Sequence, residues 1–247
     1  MWTNILLLIL GLLLLISGGE FLVKSAISIA KKFNISPFVV GITIVSFGTS
    51  APELMVSLQA TFDGATGLAI GNVIGSNIAN IGLVLGLTVL VKPIIVEKSK
   101  YVFSAWFMLI SALLFSILLY DGNISFTDGL LLVLSLLIFL LFSFKYDKSQ
   151  DVEDDFVEKG ILTTLLFFVL GSVGLYFGSD IFVNNAICIA KYMGVSEFVI
   201  GITIVAFGTS LPELVTSIVA AVRNQNSISI GNLIGSNIFN IFAVIGI

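Results

Sequence analysis

The chain has no histidine and a single cysteine, Cys188, among its 247 residues. Without His it lacks the commonest zinc ligand and the side chain that usually switches charge near neutral pH. One Cys excludes an internal disulfide and a thiolate metal site. Charge is also scarce: Asp, Glu, Lys and Arg make up 11% of residues, where soluble domains carry about a quarter. So few charges cannot cover a surface in water, which excludes a soluble globular class. The formal net charge of −4 comes mostly from one loop and points to no nucleic-acid partner.

What the chain has in abundance is apolar length. It is 57% hydrophobic with a mean hydropathy of +1.14. A membrane-crossing helix needs roughly 20 apolar residues. Eight blocks qualify, at about 3–30, 37–60, 67–91, 101–120, 125–145, 160–190, 197–222 and 228–247. None alternates apolar and polar residues as barrel strands do, so the predicted class is an all-α integral membrane protein in a lipid bilayer. The start, Met-Trp-Thr-Asn-Ile, has no basic region and no small-residue cleavage site, and reads as the first span.

Loops facing the cytoplasm collect Lys and Arg. With the N-terminus outside, Lys31, Lys32, Lys92, Lys98, Lys100, Lys145, Lys148, Lys159 and Arg223 all fall inside and only Lys191 outside. That asymmetry predicts a multi-pass protein of a prokaryotic cell membrane with its N-terminus out. The loop 146–159, YDKSQDVEDDFVEK, holds six acids but lacks the spaced ligands and central Gly of a calcium loop. It is read as a solvated cytoplasmic linker.

The chain repeats itself. GITIVSFGTSAPEL (41–54) and GITIVAFGTSLPEL (201–214) match at twelve of fourteen positions, 160 residues apart. GNVIGSNIANI (71–81) and GNLIGSNIFNI (231–241) match at nine of eleven with the same offset. More weakly, residues 18–36 parallel 178–196. One offset over three segments means duplication. Five spans fill the first copy, 1–145, and an odd number turns the second copy upside down in the membrane. The second copy, 160–247, supplies three spans, and the sequence stops at Ile247 inside an apolar run. A fragment lacking two further helices is expected.

Glu53 and Glu213 lie inside apolar spans, where a charge costs a few kcal/mol and is kept out of lipid. Each follows a proline, Pro52 or Pro212. A proline has no N–H, clashes with the carbonyl four residues back, and pushes its predecessor (Ala51 or Leu211) from helical angles. Breaks are therefore predicted at Gly-Thr-Ser, freeing carbonyls near 48–50 and 208–210, and such backbone is tolerated at membrane depth only inside protein or a cavity. Thr49 and Thr209 lie four residues before the acids. Ser76 and Asn80 repeat that spacing, as do Ser236 and Asn240. Carboxylates, hydroxyls, amides and carbonyls are hard oxygen ligands. Ca²⁺ takes six to eight of them, whereas Mg²⁺ prefers to keep its waters. Ser76, Ser236, Asn77 and Asn237 suit interhelical hydrogen bonds almost as well. Glu20 can pair with Lys24 one turn on. A structural or entrance role is expected for Glu20 and its counterpart Asp180.

The paired GxxxxxFGTSxPEL and GNxIGSNIxNI segments resemble the α-repeats of the cation/Ca²⁺ exchanger superfamily, specifically its prokaryotic sodium/calcium exchanger branch. The resemblance implies ten helices in two inverted five-helix repeats, about eight of them present here, and Ca²⁺ exchanged for Na⁺ or H⁺. It implies Glu53 and Glu213 as principal Ca²⁺ ligands, with carbonyls at Thr49 and Thr209. Ser50, Ser76, Asn80, Ser210, Ser236 and Asn240 would complete Na⁺ sites, and the Ala206 carbonyl would serve an outer Na⁺. Some prokaryotic relatives carry Asp where this chain has Asn240. The expectation is thus a secondary antiporter with no resident cofactor, Ca²⁺ and Na⁺ being its cargo, and no enzymatic role. Ca²⁺/H⁺ or K⁺-dependent exchange is the runner-up. A cation channel or an intramembrane hydrolase fits the paired inverted motifs less well. No feature of the sequence sets an oligomeric state.

Overall fold

A computed structural model of the chain describes residues 1–95, 98–146, 160–200, 203–204 and 206–247. The regular structure among them is helical throughout. Helix α1 runs Trp2–Phe33. Helices α2 (Pro37–Thr49) and α3 (Ala51–Phe62) form a pair bent by 45°. Then come α4, Thr66–Val91, α5, Lys98–Leu118, and α6, Phe126–Tyr146. The second half holds α7, Ile161–Tyr192, α8, Glu197–Ile200, α9, Ala206–Gly208, α10, Leu211–Val222, and α11, Asn226–Val244. Among the described residues six helices are long and apolar enough to cross a membrane, or seven when the bent pair counts as one. The block expected at 197–222 is the broken series α8, α9 and α10. Of the expected acidic linker, 146–159, Tyr146 closes α6 and residues 147–159 lie outside the described residues.

The duplication extends to the turns. Helix α1 ends on Asn34 in the left-handed conformation (φ 52°), and Gly194 (φ 79°) takes the same place after α7. Ser36 Oγ then accepts the N–H groups of Phe38 and Val39 and starts α2, as Ser196 Oγ accepts the N–H of Val199. A side-chain oxygen in this position satisfies donors that the first helical turn leaves open.

The predicted breaks are present at Gly-Thr-Ser, but the residue before each proline does not carry them. The departure from helical angles falls on Ser50 and Ser210, both at φ −86° and ψ 5°. Ala51 and Leu211 are already the first residues of α3 and α10. A proline in the first turn of a helix costs little, because its missing N–H would have had no partner there. The freed carbonyls are correspondingly fewer than expected. Those of Ser50 and Ser210 accept from the N–H groups of Leu54 and Leu214. Wide π-turns also interrupt α2 at Gly41–Val45, α4 at Asn80–Val84 and α11 at Asn240–Val244. Such turns are frequent where a helix carries function.

Helices α1 and α7 cross antiparallel, with Gly11 against Gly178 and Gly18 against Gly171. A Cβ at Gly18 would lie 2.8 Å from the Leu175 nitrogen, and one at Gly171 2.7 Å from the Leu22 nitrogen. These contacts map onto one another under the 160-residue shift, so a pseudo-two-fold axis passes between the two helices and the halves are inverted. In lipid, small residues of this kind let backbones pack where no hydrophobic drive exists. The core has two parts. Leu15, Leu22, Val23, Leu175, Leu211 and Leu214 join α1 and α7 to α10. Phe115, Leu132 and Phe139 of α5 and α6 pack on Ile238 and Phe242 of α11. Helix α11 is therefore enclosed, its apolar window 83% buried, whereas that of α4 is 28% buried. Residues 160–247 contain no counterparts of α5 and α6 to cover α4. Leu113, Ile117, Leu137 and Leu141 remain exposed on the outer faces, as lipid contact requires.

Candidate cation site

The two broken helices place the starts of α3 and α10 at the centre of the bundle, each with its acid in the first turn. A helix N-terminus carries partial positive charge, which suits a carboxylate there. Glu53 and Glu213 are fully buried, at 0% exposure. Thr49, Ser50, Asn80, Ser210, Ser236 and Asn240 are equally enclosed, and Ser76 nearly so. Thr209 is half-buried. Ala206 opens the short helix α9, and its side chain lies outside the described set.

The predicted residues converge across the two repeats. Ser50 Oγ donates to Glu213 Oε1 at 3.0 Å, a contact between residues 163 apart. Ser236 Oγ reaches the same oxygen at 3.5 Å. Thr49 and Ser236 share a hydroxyl hydrogen bond of 3.3 Å, and Thr209 and Ser76 share its mirror image, also 3.3 Å. Asn240 Nδ2 donates to Asn77 Oδ1 at 3.1 Å, and Asn77 Nδ2 to the Asn237 carbonyl at 3.2 Å. Asn77 thus ties α4 to α11, the interhelical role open to it from sequence.

Symmetry stops at the carboxylates. Glu213 is held by two hydroxyls, but both oxygens of Glu53 are buried without a protein partner. So are Ser210 Oγ, both polar atoms of the Asn80 amide, Asn240 Oδ1 and Glu213 Oε2. An orphaned buried polar atom costs about 1–3 kcal/mol, and a charged one more. A cluster of them built from two acids and neutral oxygens fits a divalent cation: two carboxylates balance its charge and the remaining oxygens replace its waters.

A supporting pair of residues escaped the sequence reading. Asn232 Nδ2 donates to the Glu213 carbonyl (3.4 Å) and to Ser217 Oγ (3.0 Å). Asn72 Nδ2 does the same to the Glu53 carbonyl (3.2 Å) and Ser57 Oγ (3.0 Å). Both asparagines stand inside the repeated Gly-Asn-x-Ile-Gly segment, so the signal was present, but nothing in the spacing says that they reach back 19 residues. Asn232 Oδ1 accepts from Thr49 Oγ1 at 3.0 Å, a third bond beyond the two that Asn72 makes. Ser179 of α7 also touches the site. Its Oγ donates to the Gly208 carbonyl at 2.8 Å, at the second break.

Inverted repeats with broken helices around a buried, oxygen-lined centre define a multi-span membrane transporter of the ion-driven kind. The sodium/calcium exchanger protein family matches residues 3–145 and 163–247, and the chain belongs to that family. It is 36% identical over 294 residues to the sodium/calcium exchanger MaX1 of Methanosarcina acetivorans, covering 99% of this chain and 82% of that one. It is also 36% identical over 252 residues to the inner membrane protein YrbG of Escherichia coli, covering 98% and 78%. A solved sodium/calcium exchanger from Methanococcus jannaschii superposes with a TM-score of 0.84 at 38% identity, covering 98% of this chain and 80% of that one.

Proposed function

We propose that the protein exchanges Ca²⁺ for Na⁺ by alternating access, binding both ions at mid-membrane between its repeats, residues 1–145 and 160–247. Glu53 and Glu213 supply the charge that holds Ca²⁺, with the Thr49 and Thr209 carbonyls beside them. Ser50, Ser76, Asn80, Ser210, Ser236 and Asn240 supply neutral oxygens for Na⁺, and the Ala206 carbonyl serves an outer Na⁺. Ca²⁺ and Na⁺ compete for overlapping oxygens, so one displaces the other. Occupancy then decides whether α1 and α7, packed on one another through their glycines, slide across the core of α2–α4 and α8–α11. The N-terminus faces outward from a prokaryotic cell membrane, which places Arg223 on the cytoplasmic side.

One observation carries this reading: two symmetry-related carboxylates, buried among oxygens that have no protein partner. The neutral Asn240 keeps the centre at two negative charges, the charge of one Ca²⁺. The test uses protein reconstituted in Na⁺-loaded vesicles. Dilution into Na⁺-free medium containing ⁴⁵Ca²⁺ should drive uptake, and replacing internal Na⁺ with K⁺, or with a proton gradient, should not. Uptake that persists in the double variant Glu53→Gln, Glu213→Gln would overturn the site.

A further inference from the structure

The charged cluster on α1 is larger than its sequence neighbours suggest. Lys24 Nζ lies 3.2 Å from Glu20 Oε2, one helical turn away. The stronger partner comes from 203 residues on. Arg223, just past the end of α10, grips Glu20 with a two-pronged fork: Nη2 lies 2.7 Å from both carboxylate oxygens and Nε 3.1 Å from Oε1. Planar pairs of this geometry are the strong form of ion pair. This one ties α1 to α10, across the boundary where the proposed motion occurs.

The duplication shows what the fork does. Under the 160-residue shift Glu20 maps to Asp180 and Arg223 maps to Asp63. The other end of the protein therefore has two acids where this end has an acid and an arginine. No fork can form there, and the two like charges repel if brought together. Asp63 instead accepts from the Gln59 amide, and Asp180 from the Asn184 amide, each within its own segment.

The packing is lopsided in the same sense. The second half of α1 lies along α10, with Gly19 against Val215 and Val219, and Ser28 only 5% exposed. The equivalent stretch of α7 is open: Cys188, the counterpart of Ser28, is exposed. On α3, Met55 and Val56 are exposed at the positions where α10 carries Val215 and the fully buried Thr216.

We propose that Glu20 and Arg223 form a one-sided clasp that holds α1 closed against α10 and biases the transporter toward the conformation open at the Asp63 and Asp180 end. The proposal rests on the alternating-access reading above. In the opposite conformation α7 closes on α3 and α1 swings free, so Ser28 becomes exposed and Cys188 becomes buried. Lys24 adds a second positive charge beside Glu20 but sits on α1 itself, so it strengthens the cluster without joining the two helices.

The chain's single cysteine makes the test direct. In a Cys188→Ser background, Ser28→Cys reports the unclasped state through its rate of labelling by a water-soluble maleimide. Arg223→Gln should raise that rate about two- to five-fold, the range expected from losing one partly exposed ion pair. Arg223→Lys keeps the charge, loses the fork, and should fall between. Asp63→Arg, a change on an exposed turn, gives Asp180 a partner at the other end. It should raise Ser28→Cys labelling with Arg223 intact and, in the otherwise native chain, slow the labelling of Cys188. Ser28→Cys labelling that is unchanged by both Arg223→Gln and Asp63→Arg would overturn the clasp. Labelling does not require transport. Shifted labelling in a protein that moves no Ca²⁺ would leave the clasp standing and remove the proposed exchange, and intact exchange with unchanged labelling would do the reverse.

Discussion

Removing the side chain of Asn232 should damage the cation site more than removing that of its duplicate, Asn72. Asn232 is wholly buried and makes three hydrogen bonds, to the Glu213 carbonyl, Ser217 Oγ and Thr49 Oγ1. Asn72 is half-buried and makes two, to the Glu53 carbonyl and Ser57 Oγ. Interhelical hydrogen bonds in membranes are worth about 0.6 kcal/mol on average, and about 1 kcal/mol is typical of proteins generally. Asn72→Ala then loses about 1–2 kcal/mol of positioning and Asn232→Ala about 2–3 kcal/mol. The gap of one bond corresponds to about a three- to five-fold difference in the Ca²⁺ concentration giving half-maximal uptake. The deleted atoms are the same in both variants, so the comparison isolates the Thr49 link. Initial rates of ⁴⁵Ca²⁺ uptake across a range of Ca²⁺, in vesicles of equal protein content, provide the measurement. If Asn72→Ala raises half-saturation as much as Asn232→Ala or more, the bond from Thr49 does not position the site and the reasoning fails.

Three further outcomes are expected. Gly18→Ala and Gly171→Ala should lower the thermal midpoint of the detergent-solubilised protein by several degrees, because each new Cβ meets backbone at 2.7–2.8 Å, whereas at Gly174 it meets nothing closer than 3.4 Å and the Ala variant should melt like the wild type. Ser36→Ala removes the acceptor that caps Phe38 and Val39 and should destabilise the protein by about 1 kcal/mol, read from a denaturant or thermal curve. Asn240→Asp adds a third carboxylate to a centre that one Ca²⁺ already neutralises. Its Ca²⁺ uptake should fall more steeply on acidification than that of the wild type, and superimposable pH profiles would count against Asn240 as a member of the site.

The membrane class, the duplication, its inversion and the two central acids were legible in the chain, because each depends on composition or on local spacing. Long apolar blocks, a constant 160-residue offset and a proline beside an acid keep their meaning wherever the segments are placed. The Glu20–Lys24 pair was legible for the same reason, since residues one helical turn apart must be neighbours. The break at Gly-Thr-Ser was legible too, but the non-helical angles expected of Ala51 and Leu211 fall on Ser50 and Ser210, because a helix tolerates proline in its first turn. Asn72 and Asn232 were passed over because their partners lie on a different helix.

By itself, then, the sequence determined that two equal half-sites would meet in a membrane. Only the tertiary structure decided that they are unequal. It placed Ser50 and Ser236 on the Glu213 carboxylate while leaving the Glu53 carboxylate without a protein partner, closed α1 on α10 while leaving α7 open, and brought Arg223 to Glu20. Two copies of one motif carry the same local instructions. Which copy is enclosed depends on what packs around it: α1 along α10 where α7 leaves α3 open, and an arginine at one end where the other end has an aspartate.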